Sequence, residues 1–163
     1  MGYCLADIDR QLAACVYRME RNERGVEYRD GLSSCFGEIG GSSLHIIISD
    51  VELIRKVLFS YVSSFAAYRL AYFKYTSYGP RTLKRFTETL KVRLNERQAK
   101  VAAGIESVSK FIESKQGGYN RTETIDLKRW LDIEALINSI SADMDLFIKC
   151  LDYVIAGRTH VSD

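Results

Sequence analysis

Trp130, Ile133, Ile137, Ile140, Met144, Phe147, Leu151 and Val154 alternate spacings of three and four along the chain. A strand would send members of such a set to opposite faces, whereas a helix lays all eight along one stripe. The pattern persists for more than three heptads, so it predicts a long helix, residues 124–156, whose apolar seam must meet a partner. A second stripe repeats the constraint. Leu83, Phe86, Leu90, Leu94, Val101, Ile105, Val108 and Ile112 predict a helix over 81–115, roughly 50 Å long at 1.5 Å per residue. Gly104 is its weak point, costing about 1 kcal/mol relative to alanine while admitting close helix packing.

Little in the sequence interrupts helices. There is one proline, Pro80, and with Tyr78 and Gly79 it stops the preceding run. That run carries two competing signals at its start. Leu44 to Ile48 has the composition of a strand, and Ser49 with Glu52 has capping-box spacing, which places the helix at 50–77. The other reading starts it near Leu44 and runs straight through. A shorter helix over 5–24 follows from Leu5, Ile8, Leu12, Cys15 or Val16, and Met19 on one face, with Gly25 as its stop. Between them, Val26 to Ser43 is the least regular stretch, punctuated by four glycines and read as an open loop or a short helix near Ser33 to Glu38.

Short connections between long helices make neighbours antiparallel. The expected fold is therefore all-α, a single domain over 1–163 formed as an antiparallel up-down bundle of about four helices, three of them long. Helices of unequal length leave apolar seam uncovered, so a homo-oligomer is expected.

The chemistry-bearing residue types give no catalytic or metal site. Cys4, Cys15, Cys35 and Cys150 form no CxxC pair, and His45 and His160 lie far from them in sequence, so no metal and no cofactor is predicted. Neither histidine belongs to the Glu-x-x-His pairs of a di-iron bundle. Asp143 and Asp145 are two apart and point about 160° from each other on a helix, so they are not a paired-carboxylate site. No residue set offers an acid, a base and a nucleophile together, and the expectation is a non-enzymatic protein. The N-terminus lacks the pattern of a signal peptide, and the longest uncharged run in the apolar middle, Val57 to Tyr68, is too short for a span of about 20 residues. These features predict an intracellular, cytoplasmic protein with reduced thiols and no transmembrane segment.

What remains is the arrangement of charge. Between residues 69 and 100 lie nine basic side chains, Arg69, Lys74, Arg81, Lys84, Arg85, Lys91, Arg93, Arg97 and Lys100, opposed only by Glu88 and Glu96, a local net of +7. Residues 1–68 carry −2 and residues 101–163 carry −3. Tyr72, Tyr75 and Tyr78 interleave the first of these cations, and Tyr61, Phe65, Tyr68, Tyr72 and Tyr75 form an aromatic stripe on one face of the second helix. Two readings follow. Arg and Lys can meet phosphates while tyrosines stack, which makes the hairpin a nucleic-acid interface that reads backbone or shape, in a coat, accessory or effector-complex subunit. Alternatively the chain is a structural or adaptor protein that self-assembles through its helical seams, with the basic hairpin meeting an acidic protein partner; the plainest account of the charges themselves is a solvated face paired to acidic neighbouring helices. An anionic membrane surface ranks third.

Overall fold

The computed structural model describes residues 5–24, 41–71, 79–114 and 121–157. Apart from Gly79 and Gly157, every described residue is helical. The elements are α1 (Leu5–Arg24), α2 (Gly41–Ala71), α3 (Pro80–Ser114) and α4 (Arg121–Ala156).

α1 has the expected bounds. α2 does not: it begins at Gly41, nine residues before the expected 50, and Leu44 to Ile48 is helix, not strand. Leu44, Ile47, Ile48, Val51, Ile54, Leu58, Val62 and Phe65 form one buried stripe at helical spacing. Starting the helix at Asp50 would remove three of these from the core, so burial overrides the local capping signal of Ser49 and Glu52. The expected end of this helix, 72–77, lies outside the described residues, as does the region 26–40.

Pro80 opens α3 at the position where its missing N–H costs no intrahelical bond, and the Leu83 N–H donates to the Gly79 carbonyl at 3.0 Å. At the same end of the pair, the Gly157 N–H reaches the Tyr153 carbonyl at 3.0 Å as α4 ends.

Side-chain partners fix the topology. On α3, Lys84, Lys91 and Gln98 step up by sevens, and their partners on α4, Asp152, Asp145 and Asn138, step down by sevens. That register makes α3 and α4 antiparallel along nearly their whole length. Asp50 with Arg93 and Arg97, then Tyr61 with Phe86, make α2 and α3 antiparallel too. α1 packs on α2 and α4 but not on α3. The four helices therefore go round a square, with α2 and α4 across one diagonal, where the Phe65 and Phe147 rings meet edge to face at 5.9 Å.

The core runs through the middle of this square. Leu12, Cys15 and Met19 enter it from α1, the long stripe from α2, Leu83, Leu94 and Val101 from α3, and Ile133 through Val154 from α4. Seven of the eight predicted seam residues of α4 are buried; Trp130, at the end of the seam, is half-buried and packs against the core. Gly104 performs the close approach its position allows. A Cβ there would lie 2.7 to 2.8 Å from three carbons of the Trp130 indole, so the ring rests directly on the glycine backbone.

Candidate nucleic-acid interface

Seven of the nine predicted cations fall on α3, whose first helical turn follows Gly79 and Pro80. Lys74, Tyr72, Tyr75 and Tyr78 lie outside the described residues, and so does the side chain of Arg69, although its backbone belongs to α2.

The seven divide by the face of α3 they occupy. Lys84 and Lys91 line the edge toward α4, where Lys84 Nζ lies 2.5 Å from Asp152 and 3.9 Å from Glu88, and Lys91 pairs with Asp145. The hydrogen bond to Asp152 pushes the Lys84 ammonium above its ordinary range. Arg93 and Arg97, one turn apart, line the edge toward α2 and both hold the Asp50 carboxylate. Burial alone would raise Asp50, but the hydrogen bonds from the two guanidinium groups outweigh it and hold the carboxyl below its ordinary 3.8.

Arg81, Arg85 and Lys100 are exposed on the remaining face. At 100° per residue they share about 100° of arc, while about 22 Å of helix separates Arg85 from Lys100. Arg85 Nη2 donates to Thr82 Oγ1 at 3.3 Å; among the described residues none of the three has an acidic partner. Glu88 and Glu96 are exposed on the same side of the helix and dilute its charge. The outward face of α3 is thus only mildly basic, and its densest positive point is the first turn, Arg81 with Arg85.

The aromatic stripe is core where it is described. Phe65 is buried, and Tyr61 packs on the core with its ring 5.9 Å from that of Phe86. Val92, Phe111 and Leu131 are large apolar side chains that face outward instead.

Four charged residues outside the basic stretch, Arg18, Glu52, Arg55 and Asp143, form a second polar group beneath α1. Arg18 pairs with Asp143 of α4, and Arg55 of α2 reaches Glu52 through Nε at 3.2 Å and Nη2 at 2.5 Å. Arg55 is 4% exposed and Asp143 5%. Burial pushes the Asp143 carboxyl above 3.8 despite Arg18. Cys15 and Cys150 are buried free thiols, and burial raises both, Cys15 to about 11. A thiol held so far up is a packing group at neutral pH, not a nucleophile. Cys4, Cys35 and His160 lie outside the described residues, and His45 is exposed on α2.

The polar partners on α4 carried a signal of their own in the sequence. Asn138, Asp145 and Asp152 each follow a seam residue, Ile137, Met144 or Leu151, at intervals of seven that match Lys84, Lys91 and Gln98. Arg55 had no such signal, because a basic residue within a stripe of Val, Ile and Leu reads as an interruption.

Among the described residues no three His, Cys, Asp or Glu side chains gather to hold a metal ion, and no helix is long and apolar enough to cross a membrane. Comparison of the chain with protein-family models, with curated proteins and with solved structures found no match.

Proposed function

We propose that this chain is a structural or adaptor subunit that assembles with a second copy of itself through the open end of the α3–α4 pair. The observation that carries the reading is the state of that end. Val101 is the last residue of α3 that is buried; beyond it Ile105, Val108 and Ile112 are only half-covered, Phe111 is 51% exposed and, on α4 level with Ile105, Leu131 is 44% exposed. The register of Asp50 with Arg93 and Arg97 brings the start of α2 level with about residues 102–106 of α3, so the last two turns have lost that neighbour. Among the described side chains around this end, Glu106, Glu113, Asp132 and Glu134 face Lys110, Lys128 and Arg129. A like copy meets little net repulsion there, and a polyanion finds no net attraction. The basic surplus of residues 69–100 has a matching explanation, because four of its seven described members are paired across helices to Asp50, Asp145 and Asp152.

Sedimentation equilibrium over a concentration series tests this. Concentration-dependent association that Phe111→Ser with Leu131→Ser abolishes is the expected result. A chain that stays monomeric at the highest concentrations overturns it.

The exposed Arg81, Arg85 and Lys100 favour a second reading, nucleic-acid binding at the first turn of α3 with Arg69 and Lys74 nearby in sequence. Binding of mixed-sequence RNA and DNA across a salt series decides it. If that turn meets phosphates, neutralising Arg81, Lys84 and Arg85 reduces the salt slope by roughly one unit for each phosphate that is no longer neutralised, while replacing Lys110 and Lys115 does much less. Equal effects from the two sets would reduce the reading to nonspecific attraction.

A further inference from the structure

Between α1, α2 and α4 lies a cavity of about 10 Å³, walled by Met19, Leu58, Phe59, Leu136 and Ile140 and reached by Arg55, Ser139 and Asp143. Arg55 and Asp143 are buried and must find hydrogen-bond partners there, whereas Ser139 is exposed at the rim. Arg55 uses Nε and Nη2 on Glu52, but its Nη1 is buried and has no acceptor among the described residues. Asp143 receives Arg18 at Oδ1. A buried guanidinium N–H without an acceptor is costly, and the great majority of such groups in folded proteins are satisfied by protein or by ordered water. The volume is about that of one water-sized sphere, too small for phosphate or any organic ligand, and water needs two to four polar partners to settle in such a place.

We propose that this cavity is a hydration site for one ordered water, which accepts from Arg55 Nη1 and donates to Asp143, with the Ser139 hydroxyl at its mouth. The water joins two separate ion pairs into one network: Glu52 and Arg55 on α2, Asp143 on α4, Arg18 on α1. The Asp143 carboxylate of α4 is then shared by Arg18 of α1, which meets it directly, and by Arg55 of α2, which meets it through the water. That gives α1, whose described core residues are Leu12, Cys15 and Met19, a directional constraint that apolar packing alone lacks.

A high-resolution crystal structure of the full chain tests the site directly. An ordered water within hydrogen-bond distance of both Arg55 Nη1 and Asp143 is expected. A pocket without density, or Arg55 Nη1 donating to a protein carbonyl, overturns the proposal. Solution measurements give a second, independent test. Leu136→Phe, from a half-buried wall position, should displace the water and lower the folding equilibrium constant by about tenfold, because Arg55 Nη1 is then left without an acceptor. Adding Arg55→Met removes the stranded donor and should recover part of the loss. A gain from Leu136→Phe alone, or a loss that Arg55→Met does not relieve, means that the pocket is dry.

Discussion

A methyl group at position 104 would fall 2.7 to 2.8 Å from three carbons of the Trp130 indole, closer than side-chain carbons approach. Gly104→Ala should therefore destabilise the protein by about 1–3 kcal/mol through overpacking, even though alanine is favoured over glycine in a helix by roughly 1 kcal/mol. Trp130→Leu in the same background should relieve the clash and restore part of the loss, and denaturant unfolding followed by circular dichroism measures both. Asp143 and Asp50 make opposite predictions for pH. The Asp143 carboxyl is raised by burial, so the folded state takes up its proton more readily than the unfolded chain does. Its contribution to stability is greatest in acid and is lost as pH rises from 3.8 through the raised folded value. Asp50 is held low by Arg93 and Arg97, so its contribution is present above 3.8 and lost as pH falls through the lowered value. Asp143→Asn should thus lessen the loss of stability between acid and neutral pH, and Asp50→Asn should lessen the loss on acidification. Stability curves for Asp143→Asn that match the parent at every pH would mean that its carboxyl is not desolvated.

Along the α3–α4 pair the energetics are unequal from seam to edge and from end to end. Ile137 and Phe147 are fully buried, so replacing either by alanine should cost about 2–5 kcal/mol. The rungs at the edge do a different job. Lys91→Asp alone sets like charges opposite Asp145, and combining it with Asp145→Lys should restore most of the loss, a coupling that a double-mutant cycle reads directly. Val108→Ala, beyond the reach of α2, should cost clearly less than Ile137→Ala. The two helices of this pair were legible from sequence because their stripes are long and regular, and a mistake in one residue does not disturb the period. The start of α2 was not. There the local signal, Ser49 with Glu52, lay inside a stripe that continues upstream, and only the burial of Leu44, Ile47 and Ile48 against other helices decides between the two readings. Sequence displays periodicity directly; it displays which neighbour covers a stripe only by implication.

For the molecule as a whole, the same distinction explains why the basic cluster was visible and its division was not. Nine cations in one stretch are a property of the chain, but which of them face Asp50, Asp145 or Asp152 depends on how α3 sits between α2 and α4. Assembly through the open end also has a thermodynamic signature that needs no ligand. If two copies share that surface, mass action makes the thermal midpoint rise with protein concentration. Phe111→Ser with Leu131→Ser should remove this dependence and leave the midpoint of the dilute protein little changed, since both residues are substantially exposed in the monomer. Differential scanning calorimetry over a hundredfold range of concentration is the measurement, and a midpoint independent of concentration in the parent would leave the first turn of α3 as the stronger candidate for function.

The rungs between α3 and α4 repeat themselves, and repetition is ambiguous. Sliding one helix past the other by seven residues would set Lys84 against Asp145 and Lys91 against Asn138, a pairing only slightly poorer than the native one. The indole of Trp130 removes the ambiguity. In its native place it lies on Gly104, but a slip of seven in either direction would set it against Arg97 or Phe111, large side chains where Gly104 has none. One bulky ring and one missing side chain thus act as the index mark on an otherwise uniform scale, and the hairpin that bears most of the bundle's length has a single setting.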